Sequence, residues 1–400
     1  MASICSAAMN RVSSLQTSGV LPLPARDDSG PASNPAVSIV VPTFREAENL
    51  PLLADRIEAA LSGRGTEWEL VVIDDDSRDG IEAVAEELAR CLPVRLDVRR
   101  VGPRDLSRSV LRGIAISRFD QVVVMDADLS HPPERIPDLL QALEAGCDMA
   151  VGSRYVSGGR IDKDWGPWRF LNSLVATLLA RPLVTCHDPM SGFFALDRRV
   201  LPDLTQLRPI GYKIGLELMV RGRLRVREVP IGFSGRNRGA SKMGLRQQIN
   251  YLRHLKRLYL HRFGGLARAL SFGSVGASGL VVDLVFYLGL QAFGIEHRLA
   301  RFLSFWPAVS WNWWLNRRVT FDDRPRRAPA RQWAKFVVAS LVGLSANVGS
   351  YLALTSHVAV FARQPLLAFF LGIALGGGVN FLMSTLYVYR WHATATGRQP

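Results

Sequence analysis

Several common signatures are missing from this 400-residue sequence. Its four cysteines are widely scattered and form no C-x-x-C pair, which argues against a disulfide-bonded scaffold or a structural zinc site. No G-x-G-x-x-G follows the first strand-like run and no G-x-x-x-x-G-K-[ST] occurs, which disfavours a classical dinucleotide-binding fold and a P-loop. The beginning of the chain also lacks the basic start and continuous apolar core of a signal peptide, so residues 1–36 are interpreted as a disordered tail.

Acidic residues are fewer than basic ones. The sequence has 49 Lys and Arg against 35 Asp and Glu, a formal net charge of +14. This excess predicts an anionic partner, which could be a phosphate compound, a nucleic acid or a membrane surface. Because the basic residues concentrate beside long apolar segments, anionic lipid explains them better, and we expect no nucleic-acid partner.

Residues 37–244 are predicted to form one domain, in which short apolar runs alternate with segments of helical spacing from Val37 to about Arg227. The runs typical of strands are Val37–Val41, Glu69–Ile73 and Gln121–Met125. The segments with helical spacing are Glu48–Leu61, Ile81–Leu92 and Glu134–Ala145. This alternation predicts an α/β domain with a largely parallel sheet.

Residues 266–400 are predicted to form a transmembrane domain of four spans. The stretches Ala269–Phe293, Phe336–Ala362 and Pro365–Tyr389 each exceed the roughly 20 apolar residues that cross a bilayer. The Trp-rich run Phe302–Leu315 is shorter and could be a core helix, but its position between two stronger spans favours a fourth crossing. Basic residues crowd the region before the first span and the second loop, whereas the third loop holds only Arg363. The positive-inside rule therefore predicts a multi-pass membrane protein with both termini and the α/β domain in the cytoplasm.

Residues 245–265 join these two regions as a basic amphipathic segment. Leu245, Ile249, Leu252, Leu255 and Tyr259 recur at helical spacing between Arg and Lys residues. This profile is typical of a helix in the lipid headgroup layer. A solvated helix packed on the α/β domain is the alternative.

A weak internal repeat indicates that the membrane domain consists of two duplicated hairpins, with chance matching of apolar segments as the alternative. The matching positions are Phe272, Gly279, Asp283 and Tyr287 with Phe336, Gly343, Asn347 and Tyr351, and Asn312 and Asn316 with Asn380 and Ser384. Asp283 is costly to place within a span, so it is either a functional residue or the partner of a neighbouring helix.

Asp126 and Asp128 follow a strand-like run, at the point where the strand opens into a loop. In open α/β sheets this carboxyl edge is where ligands bind. Two acids one residue apart repel each other unless a cation lies between them, and Mg²⁺ or Mn²⁺ carrying a diphosphate would supply that charge. A solvated turn is the alternative for an isolated D-x-D.

Two further strand-like runs end in polar loops. Pro42–Glu46 follows the first run, and the acidic group Asp74–Ser77 follows the second. Three such strand ends suit a nucleotide-sugar donor held through its base, its ribose and a metal-bound diphosphate.

Taken in order, these motifs resemble the family 2 glycosyltransferases that make polyprenyl-phosphate sugars, particularly dolichyl-phosphate mannosyltransferases. The segments that carry the resemblance are Val37–Glu46, Asp74–Gly80, Met125–Pro133, Val151–Tyr155, Asp188–Phe193 and Arg236–Lys242. Residues 266–400, with Trp311–Phe321 (WNWWLNRRVTF), resemble the GtrA-like four-helix membrane family.

The resemblance implies a GT-A fold and inverting transfer of a hexose from a nucleotide diphosphate sugar to a polyprenyl or dolichyl phosphate. Mannose from GDP-mannose is the favoured donor, and UDP-glucose or another hexose donor is the alternative. The roles implied are nucleotide-sugar binding by Pro42, Thr43, Glu46 and Asp75, metal binding by Asp126, Asp128 and Ser130, catalysis by Asp126, Asp128, Arg236 and Lys242, and acceptor-phosphate binding by Arg154, Arg169 and Ser173.

The implied acceptor needs no strong general base. A phosphate monoester has a second pKa near ~6 and is largely dianionic at neutral pH. The protein must therefore position the acceptor and stabilise the leaving diphosphate. Three positions depart from the usual family pattern, because Asp76, Arg45 and Phe194 stand where Gly, Asn and Arg are common.

Two other functions compete with this interpretation. A processive polysaccharide synthase is expected to carry Q-x-x-R-W before its membrane helices, and Arg331-Gln332-Trp333 has neither that spacing nor that location. A lipid translocase or scaffold with a non-catalytic α/β domain is disfavoured because Asp126 and Asp128 are both present. The sequence leaves homo-oligomer formation open.

Overall fold

A computed structural model of the chain describes residues 36–100, 102, 104–161, 167–207, 210–211, 213–233, 245–325 and 328–390. The predicted tail lies outside the described residues except for Ala36, where the first strand begins. The chain divides into two compact units, the first ending at Arg262 and the second beginning at Phe263.

The first unit is built on a twisted α/β sheet. Its strands β1 to β9 are Ala36–Thr43, Glu67–Asp74, Val94–Val98, Gln121–Val124, Met149–Ser153, Arg160–Ile161, Phe194–Asp197, Val226–Pro230 and Gly232–Phe233. Seven of them form one sheet in the order β3-β2-β1-β4-β7-β5-β8, and β6 pairs with β9. Strand β7 runs antiparallel to both of its neighbours, while the other pairings are parallel. The predicted α/β class with a mostly parallel sheet is therefore confirmed.

Helices cover both faces of this sheet. In chain order α1 to α7 are Leu50–Leu61, Ile81–Leu88, Leu106–Ile116, Ile136–Glu144, Pro167–Ala180, Ile214–Gly222 and Leu245–Phe263. Along β2, Leu70 and Val72 pack in one core with α1, α2 and α4, whereas Val71 and Ile73 pack in another with α3 and α6. Strands buried on both faces need apolar residues at consecutive positions, which explains the unbroken apolar runs in the sequence.

The register of β1 determines where ligands can bind. Thr43 at its end pairs with Asp74 at the end of β2, and Val40 pairs with Val124 at the end of β4. The three polar loops therefore leave the sheet at the same edge, as the sequence predicts.

Helix α7 is anchored on the first unit by one face. Leu255 and Leu258 are buried against α5 and α6, and the Tyr259 hydroxyl donates to the Leu179 carbonyl at 2.8 Å. Ile249 and Leu252 on α7 remain 41% and 54% exposed. The helix is thus packed on the domain, as in the alternative interpretation, and still presents apolar side chains.

The second unit is helical. Helices α8 to α12 are Gly265–Ala292, His297–Leu315, Pro329–His357, Ala359–Arg363 and Pro365–Met383, and π-helical segments cover Asn316–Thr320 and Ser384–Val388.

The prediction of four spans is wrong, because one of the four predicted helices is not long and apolar enough to cross a membrane. In the described part of the chain, three helices are long and apolar enough to cross a membrane: Gly265–Ala292, Pro329–His357 and Pro365–Val388. Helix α9 falls short because Arg298 and Arg301 lie near its start and Asn312 near its end, which leaves only a short apolar middle.

Matching contacts in the two hairpins support the predicted duplication. The ring centroids of Phe272 and Phe321 lie 6.4 Å apart at 72°, and those of Phe336 and Tyr389 lie 6.4 Å apart at 65°. A side chain on Gly279 would collide with Asn312, and one on Gly343 would collide with Asn380. The matching positions are offset by 64 residues in the first helix of each hairpin and by 68 in the second. The difference of four residues between the two offsets arises in the connection between α10 and α12, which contains α11.

Asp283 pairs with a neighbouring helix. Its carboxylate accepts from the Arg301 guanidinium and, at 2.7 Å, from the Ser304 hydroxyl, both on α9. Of the two roles predicted for Asp283, the structure supports that of a partner for a neighbouring helix.

Candidate active site

A cavity of about 1460 Å³ lies at the carboxyl edge of the sheet in the first unit. The loops after β1, β2 and β4 form one side of it, and α5, α6 and α7 contribute to the other. Among its lining residues are Glu46, Asp126, Asp128, Arg154, Ser173 and Lys213. Polar loops and a partly apolar helical wall therefore enclose one space.

Asp126 and Asp128 lie on a tight turn directly after β4. The Asp126 side chain is 34% exposed, and Asp128 is buried with its carboxylate accepting from the Ser130 N–H at 3.1 Å. Leu129 adopts a left-handed conformation with φ of 60°, which brings the chain back so that both carboxylates line the cavity. Ser130, a predicted metal ligand, is 1% exposed beneath this turn.

The two carboxylates fit a divalent metal that takes its remaining ligands from a substrate. The described residues contain no group of three or more His, Cys, Asp or Glu side chains suited to hold a metal ion. Hard cations such as Mg²⁺ are commonly held by one or two carboxylates together with phosphate oxygens and water. Asp126 and Asp128 would thus hold the metal together with a diphosphate.

His131 supports the D-x-D turn. Its Nδ1 accepts from the Asp126 N–H at 3.1 Å, and its ring stacks on Phe193 with centroids 5.4 Å apart. Burial lowers the pKa of this imidazole, while the Asp126 and Asp128 carboxylates act in the opposite direction. A neutral ring with its lone pair on Nδ1 satisfies the hydrogen bond.

A smaller cavity of about 280 Å³ shares lining residues with the first. It is lined by all four predicted nucleotide-binding residues, Pro42, Thr43, Glu46 and Asp75, together with Arg104 and Asp105. The structure thus brings together these four side chains, which come from the end of β1, the loop after it and the loop after β2.

Asp75 is already engaged within the protein. One carboxylate oxygen accepts from the Arg99 guanidinium and, at 2.8 Å, from the Ser109 hydroxyl. The other accepts from the Asp105 N–H at 3.0 Å. Asp75 therefore fixes the wall of the small cavity through residues that the sequence motifs did not reveal.

The rim of both cavities carries a cation–π pair. The Arg104 guanidinium lies 4.3 Å from the centroid of the Phe44 ring, and both residues line both cavities. A flat aromatic and a planar cation are suitable surfaces for stacking a nucleobase. Arg104 lies in no recognised motif.

Two departures from the family pattern have a backbone explanation. Arg45 and Asp76 have φ of 62° and 54°, in the left-handed region. Asn and Gly, the usual family residues there, enter this region more easily than other residues do. These substitutions therefore bear first on loop conformation. Phe194, the third departure, is a buried core residue of β7.

Arg154, a predicted acceptor-phosphate residue, is held by Asp188. Its Nε and Nη2 donate to the two Asp188 carboxylate oxygens at 2.7 and 2.8 Å. Burial opposes the charged form, but these hydrogen bonds and the Asp188 charge raise the pKa of Arg154. Ser173, also predicted, shares a hydrogen bond of 2.8 Å with the Tyr155 hydroxyl. The side chain of Arg169, and all of Arg236 and Lys242, lie outside the described residues.

Lys213 is a cavity residue that sequence reasoning missed. Its Nζ donates to the Met190 carbonyl at 2.9 Å. Burial and the nearby Arg154 charge lower the pKa of Lys213 to about 8, against the opposing effects of Asp188 and Asp126. Because the lysine lies in no motif, only the fold brings it to the cavity.

The Asp188–Phe193 turn organises the site. Asp188 binds Arg154, Met190 binds Lys213, and Gly192 faces the Asp126 carboxylate. A Cβ added to Gly192 would lie 3.5 Å from an Asp126 carboxylate oxygen and 3.3 Å from the ring of His131. The glycine therefore leaves space beside Asp126.

Comparison with known proteins agrees with this architecture. Residues 38–205 match the glycosyl transferase family 2 model, and residues 271–389 match the GtrA/DPMS transmembrane domain. A dolichol-phosphate mannosyltransferase from Pyrococcus furiosus is 37% identical over 353 residues, covering 87% of this chain and 97% of that protein. The dolichol-phosphate mannosyltransferase of Saccharomyces cerevisiae is 38% identical over 237 residues, covering 57% of this chain and 88% of that protein.

A polyprenol monophosphomannose synthase from Mycolicibacterium smegmatis is 37% identical over 240 residues, covering 55% of this chain and 88% of that protein. The match to the Pyrococcus protein covers 87% of this chain, whereas the other two cover 57% and 55%. This near-complete coverage shows that the chain belongs to the dolichol-phosphate mannosyltransferase family of glycosyltransferases and combines a family 2 catalytic domain with a GtrA-type membrane domain.

Proposed function

We propose that this protein transfers mannose from GDP-mannose to a polyprenyl or dolichyl phosphate, with inversion, to give a β-linked lipid-phosphate sugar at the cytoplasmic face of a membrane. One observation carries the proposal: the cavity that contains Asp126 and Asp128 also contains the cations Arg154 and Lys213 and reaches the apolar helices α5 and α7. A donor diphosphate and a lipid phosphate could therefore meet there.

The donor end of the reaction belongs to the loops after β1, β2 and β4. Asp126 and Asp128 would hold Mg²⁺ or Mn²⁺, which when bound supplies positive charge to the donor diphosphate. Phe44 and Arg104 present a stacking surface for the base, and Glu46 and Asp75 line the adjoining small cavity. The acidic loops alone would repel the donor, which is why a metal ion belongs to this proposal.

The acceptor end belongs to Arg154, Lys213 and Ser173. The acceptor phosphate is largely dianionic at neutral pH, so one of its oxygens can attack the anomeric carbon without a general base. A new C–O bond forms to that oxygen while the bond between the anomeric carbon and the nucleotide diphosphate breaks on the opposite side. The two cations hold the attacking phosphate in line and exclude other orientations.

Arg169, Arg236 and Lys242 enter the proposal through the family resemblance. Arg169 belongs to α5, the helix that also carries Ser173. Arg236 and Lys242 follow β9, and two further cations there would stabilise the leaving diphosphate.

An apolar surface beside the cavity suits a lipid acceptor. On α5, Val175 and Leu179 line the cavity and are 46% and 40% exposed, and on α7 Leu252 does the same at 54% exposure. Such side chains can enter the acyl boundary while the phosphate stays at headgroup level. In this proposal the first unit lies on the cytoplasmic side of the membrane, and the basic residues that precede the first span support that orientation.

The test is transfer of radiolabelled hexose by the purified full-length protein from a panel of GDP-mannose, UDP-glucose and UDP-galactose to a dispersed polyprenyl phosphate. We expect labelled lipid with GDP-mannose and a divalent metal, and none from the Asp128→Asn variant. If the protein transfers glucose from UDP-glucose faster than mannose from GDP-mannose, UDP-glucose becomes the assigned donor. Failure with every donor, by protein that still binds polyprenyl phosphate, would favour the translocase or scaffold function.

A further inference from the structure

The Trp311–Phe321 motif has no part in the proposed transfer. It runs from the end of α9 through the π-helical segment Asn316–Thr320, at one end of the second unit. The other π-helical segment, Ser384–Val388, occupies the equivalent place in the second hairpin. Such π-helical turns are uncommon and frequently mark functional sites.

An aromatic stack forms the centre of this end. The rings of Phe321 and Tyr389 lie 4.3 Å apart between centroids and 8° from parallel, and both residues are buried. They are 68 residues apart, which is the repeat offset of the second helix in each hairpin. The stack therefore pairs equivalent positions and lies where the two hairpins meet. The Tyr389 hydroxyl donates to the Trp313 carbonyl at 3.1 Å.

The guanidinium of Arg268 lies near this stack, and one of its nitrogens has no hydrogen-bond partner among the described residues. Its Nη2 donates to Asp323 at 2.7 Å, and the guanidinium carbon lies 5.7 Å from the centroid of the Phe321 ring. Its Nη1 is buried and has no hydrogen-bond partner among the described residues. A buried guanidinium N–H normally has an acceptor, so this position calls for another oxygen.

The equivalent position in the second hairpin is also polar and incompletely satisfied. Gln332 lies 64 residues after Arg268, at the repeat offset of the first helix. It is 3% exposed, and its Oε1 has no hydrogen-bond partner in the described part of the chain; the same holds for Oδ1 of Asn316, which is 1% exposed. Both hairpins thus bring polar groups to this end of the unit, but these two oxygens are acceptors that call for a donor, so the unsatisfied donor that an anion could meet here is Arg268 Nη1.

The charge at this end favours an anion. Asp322 and Asp323 are its acidic residues in the described segments 263–325 and 328–390, and its basic residues are Arg268, Arg317, Arg318, Arg324, Arg331, Lys335 and Arg390. Burial and then the Arg268 charge lower the pKa of Arg324, so Asp323 does not fully offset the two guanidinium groups. An added anion would relieve this repulsion.

We propose that the polar end of the second unit, around the Phe321–Tyr389 stack, is a binding site for the phosphate group of a lipid. Arg268 is its main cationic contact, because its buried Nη1 has no acceptor among the described residues. Phosphate fits because it offers several acceptor oxygens to a planar guanidinium. A lipid-borne phosphate fits because apolar helices flank the site. This site is additional to the acceptor site of the first unit, to which Arg154 and Lys213 belong.

The test is lipid binding to the full-length protein in detergent micelles, measured by native mass spectrometry. The probes are phosphatidylglycerol, polyprenyl phosphate and mannosyl polyprenyl phosphate, with phosphatidylcholine as the zwitterionic background. We expect Arg268→Gln to weaken phosphatidylglycerol binding roughly tenfold, as the loss of a charge-assisted contact should. The matched control is Arg363→Gln, because Arg363 is an exposed basic residue in the connection between α10 and α12, outside this basic cluster. It should change binding less than twofold.

A second variant guards against misfolding of the first. Arg268→Lys keeps the positive charge and most of the side-chain volume, so it should fold, and it should still weaken binding because an ammonium group cannot make the two-point contact of a guanidinium. Because polyprenyl phosphate should also occupy the catalytic cavity, the amount bound at the new site is the amount bound by the wild-type protein minus the amount bound by Arg268→Gln. Preference for polyprenyl phosphates would identify the carrier lipid as the ligand, and equal binding would identify anionic lipids in general. Equal loss in Arg363→Gln, or no loss in Arg268→Gln and Arg268→Lys, would overturn the proposal.

Discussion

Arg154 and Asp188 form a buried two-point ion pair beside the cavity, and the Arg154 N–H donates to the same carboxylate at 3.1 Å. Asp188 is in turn held by Glu228, which accepts from its N–H at 3.0 Å. The cation that we assign to the acceptor phosphate is therefore oriented by the Asp188–Phe193 turn.

We expect Asp188→Asn to raise KM for polyprenyl phosphate at least tenfold and to leave nucleotide affinity unchanged. It should also lower the free energy of unfolding by about 3 kcal/mol, because it leaves a buried cation incompletely neutralised. Asp120→Asn is the control, since Asp120 pairs with the partly exposed Arg198 and should cost less than ~1 kcal/mol. Steady-state kinetics and thermal unfolding measure both effects, and a parallel loss of nucleotide binding would contradict the assignment.

Asp128→Asn should abolish transfer and leave the fold intact, because the charge that holds the metal-bound diphosphate is removed while the shape is kept. Transfer by the wild-type protein should likewise stop in EDTA and return with Mg²⁺ or Mn²⁺. Asp138→Asn is the matched control, since Asp138 pairs with Arg135 on the surface. Full activity in EDTA would show that the two carboxylates serve another purpose.

Gly192→Ala should reduce kcat by roughly tenfold through crowding of Asp126 and His131. The added methyl group would sit within 3.5 Å of both side chains, and small displacements at a catalytic centre are costly. Gly232→Ala serves as the control, because a Cβ there would meet nothing within 4 Å. Single-turnover rates compare the two variants. Unchanged rates in both would mean that the turn tolerates bulk beside Asp126.

The position of the proposed donor site could be predicted because it follows from strand order. Parallel strands end at one edge, so Thr43, Asp74 and Asp126 had to meet once β1, β2 and β4 were recognised. Lys213 and Arg104 could not be predicted in this way. Neither belongs to a motif, and each reaches the cavity only through tertiary contacts with Met190 and Phe44.

In the membrane unit, the sequence predicted a span that the structure does not support. The apolar middle of α9 looks like a span, but membrane crossing depends on a long uninterrupted apolar length, and Arg298 and Arg301 interrupt it. One of these residues, Arg301, forms an ion pair with Asp283, and this pair accounts for the presence of both charges in apolar helices. Sequence spacing could not reveal this pair because the residues belong to different helices.

His254 should make the first unit less stable in acid. This buried imidazole on α7 lies 3.6 Å from a Glu217 carboxylate oxygen, and burial, with the nearby Arg257 and Arg221 charges, lowers its pKa to about 4. Between pH 6.5 and pH 4 the unfolded chain therefore binds a proton that the folded chain does not. Stability is full above about pH 6.5 and falls with decreasing pH by up to ~1.4 kcal/mol per unit.

Thermal unfolding of the purified protein at pH 7 and pH 5 measures this effect. His254→Gln should flatten the pH dependence, whereas His297→Gln, which changes an exposed histidine, should not. An unchanged slope in His254→Gln would assign the acid sensitivity to other groups.

Leu252→Glu should separate catalysis from membrane docking. Leu252 is 54% exposed on α7 and lines the cavity, so a charge there should oppose entry into the acyl boundary. We expect transfer to polyprenyl phosphate in liposomes to fall at least tenfold while transfer to the detergent-dispersed acceptor changes little, because the residues assigned to the diphosphate and to the acceptor phosphate are untouched. The control is Leu52→Glu, which places the same charge on an equally exposed leucine of α1 and should leave both activities unchanged. Equal losses in liposomes and detergent would place Leu252 in the acceptor site itself.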